Sequence, residues 1–172
     1  MKNWRHHSIT VLALLFVAGS MPEFVVAQGS GTILACSELS RVVPTGFYFQ
    51  GLSAQTQMRN AAAARFGTNR YLIAGLVDTT GYAADLRAKY EGFLITDSDI
   101  TIGGERLGIG AYGFGFTNDG KLNIMDLAGN QLLSVAITKD NALKRPRPLM
   151  MSADANHVRL YSGRDYVLIG LK

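Results

Sequence analysis

The chain has 172 residues, of which 17 are Lys or Arg and 13 are Asp or Glu, giving a formal net charge of +4. This excess of positive charge is small and spread along the chain, so it does not indicate nucleic-acid binding. The single cysteine, Cys36, excludes an internal disulfide bond. A domain of this length buries a core large enough to fold without one.

The first 27 residues have the three parts of a secretory signal peptide. Lys2 and Arg5 precede an apolar run over residues 9–19, and small residues lead to Ala27. The run is about half the roughly 20 residues that a membrane-spanning helix needs. We therefore expect cleavage after Ala27, no transmembrane helix in the mature chain, and a periplasmic or extracellular location. The lack of Asn-X-Ser/Thr acceptor sites and of cysteine pairs favours a bacterial source.

A second way of processing the N-terminus is suggested by Cys36. Residues 33–36 read Ile-Leu-Ala-Cys and resemble the lipobox of bacterial lipoproteins, in which the cysteine becomes the lipidated first residue. Residues 28–31 depart from that pattern, because they separate the motif from the apolar run that should precede it directly. Residues 28–45 mix Gly, Ser, Gln and Pro, and we interpret them as a flexible leader to a domain over residues 46–172.

The elements of that domain follow from short apolar runs interrupted every 8–12 residues by turn residues, a pattern typical of sandwiches and barrels. The tripeptide Asn118-Asp119-Gly120 between two alternating runs predicts a tight hairpin. Strands joined so closely must be antiparallel. The fold prediction is a single mainly β domain, an antiparallel β-sandwich or a small β-barrel. The predicted strands are Phe47–Leu52, Tyr71–Asp78, Phe93–Thr96, Asp99–Ile102, Gly110–Thr117, Lys121–Asp126, Gln131–Thr138, Leu149–Ser152, His157–Tyr161 and Asp165–Leu171.

Two segments have helical features. Tyr82, Leu86 and Tyr90 are spaced four apart, which predicts one short α-helix over about residues 82–90, capped by Thr79 or Thr80. The segment from Met58 to Phe66 contains four consecutive alanines, which favour a helix by propensity. It fits equally well as a strand of small residues packed beneath aromatic side chains, so both alternatives stay open.

The run from Ala111 to Phe116 alternates small and aromatic residues. On a strand, Tyr112, Phe114 and Phe116 share one face and the small residues share the other. One hypothesis is an aromatic platform that binds carbohydrate. The other is a stripe of core residues, with glycines that let another segment approach closely.

The densest positive charge lies in the segment over residues 144–148, where two prolines keep the chain extended. Lys144, Arg145 and Arg147, with Arg159 as a neighbour, are candidate binding residues for an anionic polymer. The alternative is a solvated loop whose prolines direct the chain into the next strand.

No nucleotide, metal or cofactor motif is found, so we predict no cofactor and no metal ligand. The favoured function is a non-enzymatic binding or interaction module. One alternative is a hydrolase that uses a pair of carboxylates. The candidate aspartates lie at predicted strand ends and turns, where we expect their side chains to stabilise the turns by hydrogen bonds. They are Asp78, Asp97, Asp99 and Asp126. The other alternative is an outer-membrane β-barrel, whose strands would have to be longer than most of those predicted here.

Overall fold

The computed structural model describes residues 31–172, so the predicted signal peptide and its cleavage after Ala27 lie outside the described residues. Within residues 31–172 the chain forms two antiparallel β-sheets and two short helices, α1 (Cys36–Val42) and α2 (Ala84–Arg87). The predicted mainly β, sandwich-like fold is confirmed. Neither helix in this part of the chain approaches the length required to cross a lipid bilayer.

The first sheet has the strand order β1-β3-β4-β5-β8-β9-β10, and β2 pairs with the beginning of β3. Its strands are β1 (Thr32–Ile33), β2 (Gly46–Phe49), β3 (Leu52–Phe66), β4 (Arg70–Val77), β5 (Gly92–Thr96), β8 (Gly110–Thr117), β9 (Lys121–Met125) and β10 (Gln131–Ala136). The strands from β3 to β5 and from β8 to β10 are neighbours in sequence as well as in space. The tight turn predicted at Asn118–Gly120 joins β8 to β9, whereas β4 and β5 are joined by the longer segment that contains α2.

The second sheet has the order β12-β13-β14-β6-β7, with β11 paired to β14. Its strands are β6 (Ile100–Ile102), β7 (Glu105–Leu107), β11 (Thr138–Lys139), β12 (Arg147–Asp154), β13 (His157–Gly163) and β14 (Asp165–Leu171). One edge of β14 pairs with β13, while the other is shared by β11 at its start and β6 at its end. β12 is therefore an edge strand.

Apolar side chains form two clusters, one on each face of the first sheet. The cluster between the two sheets is the sandwich core, where alternate residues of facing strands interdigitate. The other cluster lies on the outer face, beneath a cover formed by α1, β2 and the segment that contains α2. Because both faces of the first sheet are buried, its central strands carry small or apolar residues on both sides.

The alanine-rich segment left open by the sequence is a strand, the second half of β3. Ala62 and Ala64 point into the sandwich core, whereas Ala61 and Ala63 point into the outer cluster. All four are at most 8% exposed. Helix propensity is overridden because this strand is packed on both sides and only small side chains fit there.

The glycines of β8 allow the cover to lie close to the sheet. A Cβ atom at Gly113 would clash with the Phe49 ring, and one at Gly115 would clash with the carbonyl oxygen of Lys89. Phe49 in turn stacks on Tyr90, with ring centroids 4.0 Å apart. The alternating pattern of β8 therefore serves packing on two faces, aromatic on one and close backbone approach on the other.

The helix predicted over residues 82–90 is confirmed but shorter, since only Ala84–Arg87 are helical. Its N-cap is Ala83, which makes no side-chain hydrogen bond, so the prediction that Thr79 or Thr80 caps it is wrong. The three residues that suggested it, Tyr82, Leu86 and Tyr90, are all buried in the outer cluster. Their four-residue spacing places all three side chains against the sheet, although only the middle part of the segment is helical.

The segment interpreted as a leader contributes two elements, β1 and α1. Leu39 and Val43 are buried in the outer cluster. The Glu38 carboxylate accepts the backbone N–H of Ala35 at 3.0 Å, which satisfies a donor at the start of α1. A helix of only seven residues is formed mainly by this packing, which the sequence pattern does not display.

We predict that Gly115→Ala destabilises the protein, because the new methyl group meets the backbone of Lys89 and Tyr90, and no flexible side chain can yield. Overpacking of this kind costs about 1–3 kcal/mol. The change is measured as the free energy of unfolding in urea. Gly81→Ala is the matched control, since no atom lies within 4 Å of its added Cβ. A loss of stability of more than about 0.5 kcal/mol at Gly81, or no loss at Gly115, contradicts this packing.

Candidate functional site

A seam between the two sheets forms the candidate site. β12 lies against β3 and β1, but β12 belongs to the second sheet, and within residues 31–172 no ladder of hydrogen bonds joins it to the first. The sandwich is thus open along this side. Edge strands that do not pair leave room for a ligand between them.

Each of the two strands along the seam has a β-bulge at this point. On β3, residues 57–60 oppose only Leu76 of β4, because Thr56 pairs with Val77 and Ala61 with Gly75. On β12, Pro148 and Leu149 oppose only Ser162. Bulges bend a strand and redirect its side chains, and they are common at sheet edges next to functional sites.

The bulges bound a groove of about 500 Å³, which we call the seam groove. Most of its lining is apolar and comes from β1, α1, β3 and β12. The principal apolar side chains are Leu34, Leu39, Met58, Leu149, Met150 and Met151. This volume is in the range of sites that bind small molecules, and methionine adapts its shape readily to an apolar ligand.

Two arginines line the seam groove, Arg59 from the bulge of β3 and Arg147 from the start of β12. Both are exposed. Among residues 31–172, neither guanidinium group makes a hydrogen bond or an ion pair. An apolar groove with two free cations is suited to a ligand that has an apolar body and an anionic group.

Cys36 also lines the seam groove, at the first turn of α1, and its side chain is exposed and free. It is the only cysteine of the chain. A thiol reagent therefore reports on this groove and on no other part of the protein.

The loop that carries Lys144, Arg145 and Arg147 is anchored to the second sheet. The Asp140 carboxylate accepts hydrogen bonds from the backbone N–H groups of Ala142 and Leu143 and from the Tyr161 hydroxyl. Arg164 donates hydrogen bonds to the carbonyl oxygens of Asn141 and Leu143. These contacts fix the path of the chain just before Arg147 reaches the seam groove.

Arg159, predicted as a neighbour of that loop, is engaged within the protein. Its guanidinium donates to Asp154 at 2.9 Å, lies 3.9 Å from the Asp140 carboxylate and stands over the Tyr166 ring. These partners raise the pKa of Arg159, the hydrogen bond to Tyr161 first and that to Asp154 second. Arg159 therefore holds β13 and the anchored loop together, and its charge is already satisfied.

The other predicted binding residues fall into two groups. Phe114 is fully buried in the sandwich core, and Tyr112 and Phe116 pack against that core, so the burial favours the core interpretation of this stripe. Lys144 and Arg145 are exposed in the anchored loop but do not line the seam groove. Of the predicted residues, Arg147 is the one that the structure places in the groove.

Two of the four carboxylates noted in the sequence form turns: Asp78 accepts the backbone N–H of Thr80, and Asp126 that of Asn130. Asp97 instead accepts the backbone N–H of Tyr71, at the start of β4. Such bonds lower the pKa of Asp78 and Asp126. No cluster of three or more His, Cys, Asp or Glu side chains that could hold a metal ion occurs in the described part of the chain.

Glu91 is a half-buried carboxylate whose pKa is raised above its ordinary value. Burial raises it, opposed by the backbone N–H of Phe116, which donates to the carboxylate at 3.2 Å. Glu91 lines a polar cleft of about 480 Å³ that Asp165 also lines. No hydrogen bond joins the two carboxyl groups among the described residues. The hydrolase alternative, which was argued from aspartates, stays a prediction.

Comparison of the chain with protein-family models, with curated protein sequences and with solved structures found no match. The function is therefore argued from the residues of the seam groove alone.

Sequence reasoning missed Arg59, Met58 and Cys36 as residues of one site. They lie in β3 and α1, more than 80 positions before Arg147 in the sequence, and the ambiguous β3 gave no indication of a bulge. One signal was present: Leu149-Met150-Met151 directly follows Pro148 at the start of a predicted strand, a place where bulges occur.

Glu91→Gln is predicted to stabilise the protein at pH 7 and to leave its stability unchanged at pH 3.5. In the folded state the pKa of Glu91 is raised above its ordinary value of 4.5, so the native protein holds this proton more tightly than the unfolded chain does. The free energy of unfolding that the bound proton contributes is fully present below pH 4.5, and it is lost as the pH rises through the raised pKa of Glu91. Urea unfolding of both proteins at the two pH values measures the difference. A variant that is less stable than the wild type at pH 7 contradicts the assignment.

Proposed function

We propose that this protein is an exported, non-enzymatic binding protein that holds a small apolar molecule in the seam groove. The observation that carries the proposal is the groove itself, about 500 Å³ in volume, bounded by one bulge on β3 and one on β12. Each bulge costs hydrogen bonds of its ladder, and together they produce an apolar concavity instead of a closed seam.

Apolar side chains that are only partly covered at the seam support a ligand-binding role. Met58 and Met150 are half-buried in the groove, beside the buried core residues Leu149 and Met151. An apolar ligand that fills the groove removes this surface from water, which contributes about 25 cal/mol for each Å² buried.

The proposal of export rests on the pattern of residues 1–27, and the packing of the residues that follow supports cleavage at Ala27 over processing at Cys36. Thr32 and Ile33 pair with β3, and the backbone N–H of Leu34 donates to Ala63 at 2.9 Å. Gly31 is buried against Phe66 and Val158. Cleavage directly before Cys36 would remove all these contacts, whereas cleavage after Ala27 retains them.

Alkylation of Cys36 tests the groove without any substitution in the core. We expect the purified protein to bind Nile red, a neutral apolar dye, with increased fluorescence. Reaction with N-phenylmaleimide should abolish that binding, because the phenyl group attached to Cys36 occupies the groove. Circular dichroism checks that the alkylated protein remains folded, as expected for a modification at an exposed thiol.

Cys36→Ser treated with the same reagent is the matched control, and it should bind the dye as the untreated protein does. Dye binding that survives alkylation of Cys36 places the dye elsewhere and contradicts the proposal. The absence of dye binding in the untreated protein contradicts it as well.

A further inference from the structure

The two arginines of the seam groove bear directly on the chemistry of its ligand. Arg59 and Arg147 come from different sheets and line the same groove. Like charges that share one groove repel each other, and an anion between them converts repulsion into attraction. No carboxylate of residues 31–172 pairs with either of them.

Of the ten arginines in residues 31–172, Arg159 and Arg164 have side-chain partners, and the other eight, Arg59 and Arg147 among them, have none. Arg159 has Asp154 and Asp140 as partners, and Arg164 donates to backbone carbonyl groups. Arg59 and Arg147 have no such partners within the described residues, although the anchored loop and the bulge of β3 hold their backbone positions. The free guanidinium groups border an apolar surface formed by three methionines, Met58, Met150 and Met151.

On this basis, and resting on the proposed function, we infer that the ligand of the seam groove is a single-chain amphiphile with a carboxylate head. Its alkyl chain lies along the methionines, and its carboxylate accepts hydrogen bonds from Arg59 and Arg147. A carboxylate suits this position because guanidinium groups donate paired, charge-assisted hydrogen bonds to it. The groove volume of about 500 Å³ fits one such small molecule.

Isothermal titration calorimetry with dodecanoate, below its micellar concentration, tests the inference. Dodecanol is the neutral ligand of equal chain length, and dodecyltrimethylammonium is the cationic one. We expect dodecanoate to bind about tenfold more tightly than dodecanol and the cationic ligand to bind least. Added salt should weaken the binding of dodecanoate and leave that of dodecanol unchanged.

Arg59→Gln and Arg147→Gln should each weaken dodecanoate binding by about tenfold without changing dodecanol binding. Arg145→Gln is the matched control: Arg145 is exposed in the same anchored loop, two positions from Arg147, but does not line the groove. It should change neither affinity by more than about twofold. Equal losses in all three variants would show a general effect of positive charge and overturn the inference.

The outcomes separate this inference from the function on which it rests. If dodecanol and dodecanoate bind equally and the arginine variants bind both as the wild type does, the groove binds apolar molecules and the carboxylate inference is wrong. If neither ligand binds, the proposed function fails together with the carboxylate inference.

Sedimentation with phosphatidylglycerol vesicles distinguishes a free amphiphile from a membrane surface. Pelleting that requires Arg59 and Arg147, in a protein that does not bind dodecanoate, overturns the inference in favour of a lipid surface.

Discussion

Burial of the first sheet on both faces is the constraint on which the rest of the structure depends. The sandwich core fills one face, and the cover of α1, β2 and the segment containing α2 fills the other. Such a sheet accepts only small residues where both sides are crowded, which explains the alanines at 61–64 and the glycines at 113 and 115. β3 passes from the cover into the sheet near Thr56, since its first residues pair with β2 in the cover and the remainder pairs with β4.

The groove follows from that change of direction. Where β3 passes from the cover into the sheet it bulges, and the bulge presents Met58 and Arg59 at the edge facing β12. The bulge of β12, which contains Pro148, meets it from the second sheet. The loop before β12 is fixed by Asp140, Arg159 and Arg164, so Arg147 reaches the groove from a defined direction. The packing of the first sheet thereby determines where the side chains of the seam groove lie.

Much of the fold could be predicted because its signals are local. The boundaries of β8 and β14 agree with those predicted, and the hairpin at Asn118–Gly120 is present, since alternation and turn residues act over a few positions. The nature of the alanine segment could not be predicted, because its conformation is decided by two layers distant in sequence. The helix α1 was missed for the same reason, as its buried residues Leu39 and Val43 pack on a sheet that the local pattern does not reveal.

For the site, the local density of positive charge identified Arg147. Arg159 was assigned to binding because its position on the polar face of a strand does not show that Asp154 and Asp140 already pair with it.

The central claim is that the seam groove, and no other apolar part of the protein, binds an anionic amphiphile. Methyl NMR of the protein labelled with ¹³C at its methionines tests it most directly, because Met58, Met150 and Met151 line the groove and Met125 is buried in the outer cluster. On titration with dodecanoate, the account predicts that the methyl signals of the three groove methionines shift together and saturate, while that of Met125 stays in place. A shift of Met125 without shifts of the groove methionines, or no shift of any of the four, would contradict it.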